Sequence, residues 1–126
     1  LFFIILIYDD CEMGNHHKMK RRWCGMSKEV SILVEYPSPE TVIMQYTGLS
    51  EVTGMEPPVY ACVGTNDGIA SYRSMEQYIS EIKADGTNAE IEVFDGLSHG
   101  FGLGIGTVAE GWIDRAVAFW EENSKQ

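Results

Sequence analysis

Two short apolar runs, Val59-Tyr60-Ala61-Cys62-Val63 and Ala89-Glu90-Ile91-Glu92-Val93-Phe94, each stop at a glycine-containing loop, with one amphipathic helix pattern between them. This order constrains the fold more than any other feature, because strands joined through a helix lie parallel in one sheet. An earlier run, residues 41–46 (Thr-Val-Ile-Met-Gln-Tyr), stops at Thr47-Gly48. Both it and the run at 59–63 are apolar nearly throughout, as strands covered on two faces are. The third run alternates, with Glu90 and Glu92 on one side and Ile91 and Val93 on the other, so one of its faces is polar.

In the intervening helix, Ser74 and Gln77 have the spacing of a capping box, and Met75, Tyr78, Ile79 and Ile82 fall on one face. Gly86 closes it. A last helix is predicted from Thr107, with Glu110 as its capping-box partner and Ile113, Ala116, Val117 and Trp120 along one side. Strand, strand, helix, strand, helix predicts an α/β fold: a mostly parallel sheet followed by C-terminal helical structure.

The loops carry the chemistry. Gly64-Thr65-Asn66-Asp67-Gly68 places an acid four residues past Val63, and Ser98-His99-Gly100-Phe101-Gly102 places a histidine five residues past Phe94. Parallel strands point one way, so both loops gather at the sheet edge where open α/β folds bind ligands. A carboxylate beside an imidazole fixes the ring tautomer and stabilises the imidazolium formed when the ring accepts a proton. The plainer alternative is an Asx-turn at Asp67 and an incidental loop histidine.

Residues 41–122 resemble the C-terminal part of an α/β-hydrolase superfamily esterase, of the acetyl-esterase and acetyl-xylan-esterase-like branch. The resemblance is carried by Pro57-Pro58-Val59-Tyr60-Ala61-Cys62-Val63-Gly64-Thr65-Asn66-Asp67-Gly68, by Ile91-Glu92-Val93-Phe94-Asp95-Gly96-Leu97-Ser98-His99-Gly100-Phe101-Gly102, and by Gly111-Trp112-Ile113-Asp114-Arg115-Ala116. It implies that the three runs are the last three strands of the family's sheet. It also implies that Asp67 is the triad acid, that His99 is the general base and that the substrate is a small ester, with no cofactor.

In that family the serine elbow and the oxyanion-hole glycines lie upstream of these strands. Residues 1–126 contain no Gly-x-Ser-x-Gly: Gly48-Leu49-Ser50-Glu51-Val52 lacks the second glycine, and Trp23-Cys24-Gly25 does not fit Gly-x-Cys-x-Gly. The expectation is a chain with triad acid and base, no nucleophile and no significant esterase activity alone. Two alternatives are a non-enzymatic dimeric interaction module and a half-enzyme completed by another chain.

Charge divides the chain. Residues 1–28 carry five basic side chains (Lys18, Lys20, Arg21, Arg22, Lys28) and three acidic ones, net +2, leaving -12 for residues 29–126. The first stretch reads as a separate N-terminal segment, a tail or an added strand, and 29–126 as the partial hydrolase domain. Met26 would suit an internal start. Within the first stretch, 1–8 is apolar but short of the roughly 20 residues that span a bilayer, so it reads as a strand with no membrane role. Residues 9–28 read as a solvated loop, the basic run 17–22 included. His16-His17 lie near Cys11, Asp9 and Asp10, yet adjacent histidines point apart on regular structure and no ligand spacing is present, so no metal site is predicted. Val30, Ile32 and Val34 alternate as a further strand before Pro37-Ser38-Pro39.

Without upstream family strands, the 41–46 strand would be an apolar edge. Either 30–36 or 1–8 covers it, or the chain forms a homodimer through it. The net charge of -10 excludes nucleic acid as a natural partner, because an acidic surface repels phosphates. Three cysteines without C-x-x-C spacing read as free thiols in a reducing, cytoplasmic compartment.

Overall fold

The computed structural model describes residues 3–7, 39–49 and 51–124. Four strands form one sheet in chain order: β1 (Phe3–Ile7), β2 (Thr41–Gln45), β3 (Val59–Gly64) and β4 (Ala89–Phe94). β2, β3 and β4 are parallel, with Val42 opposite Val59 and Val59 opposite Ala89. β1 runs antiparallel on β2, from Phe3 opposite Gln45 to Ile7 opposite Thr41. The expected parallel three-stranded unit is therefore present. Of the candidates to cover the β2 edge, it is Phe3–Ile7, within the 1–8 run, that pairs with it: an apolar β-former satisfies that row of backbone groups within the chain. Ser50, Cys24, His16, His17 and the 30–36 run lie outside the described residues.

Alternation of side chains sends β2 and β3 residues to two separate cores. Val42, Met44, Val59, Ala61 and Val63 join Met75, Tyr78, Ile79 and Ile82 of α1 (Tyr72–Ala84) on one face. Ile43, Tyr60 and Cys62 meet Trp112, Ala116 and Phe119 of α2 (Trp112–Ser124) on the other. With both faces covered, the central strands can be apolar at every position, and each large side chain so buried contributes about 1.5–3 kcal/mol.

The two helices start differently from expectation. The α1 cap is Ser71, whose Oγ accepts the Ser74 N–H at 3.4 Å. The Asp67 turn buries Ala70 and brings the chain into the helix one turn earlier than Ser74. Its apolar face and its stop are as predicted: the Gly86 N–H donates to Lys83 O and the Thr87 N–H to Ile82 O, with Gly86 at φ 89, a Schellman closure.

α2 begins at Trp112, not at Thr107. Thr107 and Glu110 serve a turn instead, Thr107 Oγ1 accepting the Ala109 N–H and Glu110 accepting the Gly106 N–H at 2.8 Å. Glycines at positive φ at 104, 106 and 111 keep that stretch out of a helix. The buried stripe is accordingly Trp112, Ala116 and Phe119, while Val117 is exposed. Trp120 Nε1 donates to Glu40 at 2.8 Å and ties α2 to the chain just before β2.

Candidate active site

β3 and β4 end level, Gly64 opposite Phe94, and the loops that follow are joined to each other. The Thr65 N–H donates to Phe94 O (2.9 Å), the Asn66 N–H to Leu97 O (3.0 Å) and the Gly96 N–H to Thr65 Oγ1 (2.7 Å). Gly64 permits this approach: a Cβ there would lie 1.9 Å from the Leu97 carbonyl oxygen. A side chain of any size would push the loops apart.

Asp67 and His99 meet. His99 Nδ1 and Asp67 Oδ2 are 2.7 Å apart, the Asp67 side chain fully buried and that of His99 15% exposed. Asp67 Oδ1 accepts the Ile69 N–H at 2.8 Å and the Ala70 N–H at 2.7 Å. The Asx-turn and the contact with His99 are thus not alternatives, since each carboxylate oxygen serves one. Burial alone would raise the Asp67 pKa, but the two amides and His99 outweigh it and hold the carboxyl below its usual range. An ionised Asp67 accepts from Nδ1–H, selecting the tautomer whose basic lone pair is on Nε2.

The His99 loop is fastened from three other elements. The Gly102 carbonyl accepts Gln45 Nε2 at 2.6 Å and Trp112 Nε1 at 2.8 Å. The Tyr46 ring lies 4.4 Å from the His99 ring centroid and 5.1 Å from that of Phe101, which meets Phe94 edge-on at 5.7 Å. Phe101 packs against both cores. Gln45, Tyr46, Gly64, Phe101 and Trp112 were not singled out by sequence as site residues. Gln45 carried a signal: a glutamine inside an apolar strand needs a buried partner, and its partner is in the His99 loop.

On the α2 face, Tyr60 donates to Glu92, and Glu92 Oε1 accepts Arg115 Nε at 2.7 Å. Burial pushes the Tyr60 phenol well above its ordinary range, with the Glu92 hydrogen bond adding to it. The Cys62 thiol, buried and unbridged, is likewise pushed up by burial, which favours its protonated form. Among the described residues no three His, Cys, Asp or Glu side chains gather to hold a metal ion, and no helix is long and apolar enough to cross a membrane.

Among solved structures, the chain is similar to Thermogutta terrifontis esterase 2. The apo form matches at 23% identity with a TM-score of 0.38, covering 52% of this chain and 23% of that one. The propionate-bound form matches at 22% identity with a TM-score of 0.35, covering 55% and 24%. The chain thus spans about a quarter of the length of these esterases. No curated protein matches it. The dienelactone hydrolase family model matches residues 36–106, more than half of the chain and a stretch that includes β2, β3, α1, β4 and both loops. A parallel sheet of α/β-hydrolase type whose matched stretch runs from the entry to β2 through the His99 loop places this chain in the dienelactone hydrolase family.

Proposed function

We propose that Asp67 and His99 are the triad acid and general base of a carboxylic-ester hydrolase acting on a small ester, and that residues 1–126 supply this half of the machinery without a nucleophile. The observation that carries the reading is the 2.7 Å approach of His99 Nδ1 to a buried carboxylate at the C-terminal edge of a parallel sheet. In this chemistry His99 Nε2 takes the proton of an attacking hydroxyl or thiol, Asp67 stabilises the resulting imidazolium, and His99 returns the proton to the leaving alcohol. The nucleophile and the oxyanion donors come from another segment, in the same product or in a separate chain.

Removing the nucleophile from a triad lowers kcat by on the order of a million-fold. The test starts with the coding DNA before the Leu1 codon, read in all three frames for Gly-x-Ser-x-Gly. A product that includes such a segment is expected to hydrolyse p-nitrophenyl acetate and to lose roughly 10⁴-fold or more in kcat on His99→Ala. An active product indifferent to His99→Ala and Asp67→Ala would overturn the assignment. Absence of the segment in every frame, with no complementing chain, would favour a non-enzymatic module.

A further inference from the structure

We propose that Tyr46 is the positioning residue of the His99 imidazole, a role that rests on reading Asp67 and His99 as acid and base. Tyr46 follows β2 directly, is 1% exposed and has φ 40, the one non-glycine residue at positive φ among those described. A bulky aromatic residue adopts that backbone only where its surroundings enforce it, and such strain collects at functional sites. Its N–H still donates to Cys62 O at 2.8 Å, so the β2–β3 ladder continues through the strained residue.

The enforced conformation delivers the ring to the His99 loop at three places. It lies 4.4 Å from the His99 ring centroid at 52°, it meets Phe101 at 5.1 Å and 82°, and a backbone hydrogen bond links its phenol to Gly102. The hydrogen bond to Asp67 restrains one ring nitrogen, and packing of the Tyr46 ring against the imidazole adds a restraint on the plane of the ring, and so on where Nε2 is held.

The test uses NMR on residues 1–126 with labelled histidine, following exchange of the His99 Nδ1 proton, assigned by its loss in His99→Gln. If the unsubstituted chain shows no hydrogen-bonded Nδ1 proton, the acid–base reading itself fails. If it does, Tyr46→Phe, which keeps the ring, is expected to leave exchange within about twofold, and Tyr46→Leu to speed it roughly tenfold. Tyr46→Asn removes the ring but tolerates the left-handed backbone, and is expected to match Tyr46→Leu even where the leucine variant folds poorly. Ile82→Val, in the same core, serves as a control that lowers stability and leaves the His99 proton unchanged. Tyr46 variants that behave like Ile82→Val, or an asparagine variant that keeps slow exchange, would overturn the proposal.

Discussion

Asp67 and His99 approach to 2.7 Å, yet the loops that carry them are held in different ways. Asp67 is fixed within five residues of its own chain: its N–H donates to Gly64 O at 3.3 Å, and its Oδ1 accepts the amides of Ile69 and Ala70. His99 is held from a distance. Its ring packs on Tyr46, and its loop is pinned at Gly102 by Gln45 and Trp112, the former 57 residues away. Under the proposed roles, a base that moves a proton needs its orientation set from several sides, whereas the acid that orients it can be a rigid local turn. The contrast also predicts which substitutions damage one loop and which damage both.

The largest effect is expected where the two loops touch. Gly64→Ala places a Cβ 1.9 Å from the Leu97 carbonyl oxygen, and backbone cannot yield as a side-chain tip does, so a loss of about 3 kcal/mol in urea denaturation is expected. A change below about 0.5 kcal/mol would mean that the loops are not packed as described.

Next comes Asp67 itself. Asp67→Ala strands the Ile69 and Ala70 amides and the His99 Nδ1–H, at a cost of about 2 kcal/mol or more. Asp67→Asn keeps an oxygen for the two amides and should cost less. Because folding lowers the Asp67 pKa, the stability it contributes is complete above about pH 4, its ordinary unfolded range, and is lost as pH falls through the lower folded value. Urea midpoints from pH 5 downward should therefore fall less steeply in Asp67→Asn; an unchanged acid slope would show that Asp67 is not the group responsible.

Trp112→Phe and Gln45→Leu each remove one donor from the Gly102 carbonyl and are expected to cost about 1 kcal/mol beyond any packing change. Together they orphan the carbonyl and should exceed the sum of the singles, whereas strict additivity would break the idea of a shared anchor. Smallest is Arg115→Ala. Its ion pair with Glu92 is 47% and 27% exposed on the two sides, so a loss of about 0.5 kcal/mol or less is expected by double-mutant cycle. A larger coupling would show that this face also braces the His99 loop, through α2.

The same division explains what could be read from the residues. The apolar runs at 41–46 and 59–63 and the alternating Ala89–Phe94 became β2, β3 and β4, because strand pattern is a local property that burial on both faces leaves intact. Asp67 was legible as a turn former, and its Oδ1 accepts the Ile69 and Ala70 amides. The contacts around His99 were not: Gln45 signals only that it needs some buried partner, and nothing near Tyr46 or Trp112 announces that the His99 loop will fold against them. Helix starts failed for a related reason. Ser71 and Ser74 are both good caps, and the Asp67 turn decides between them, while the glycine-rich loop before Trp112 turns a capping-box pair into a turn. The β2 edge was left open among three outcomes, and the pairing of β1 decides it.

The most direct test of the central claim, an acid–base pair without its nucleophile, is turnover of an activated acetate ester by residues 1–126 in the presence of a serine-directed fluorophosphonate probe. The account predicts no labelling and no turnover that depends on His99. Labelling that tracks with hydrolysis, both abolished by His99→Ala, would contradict it.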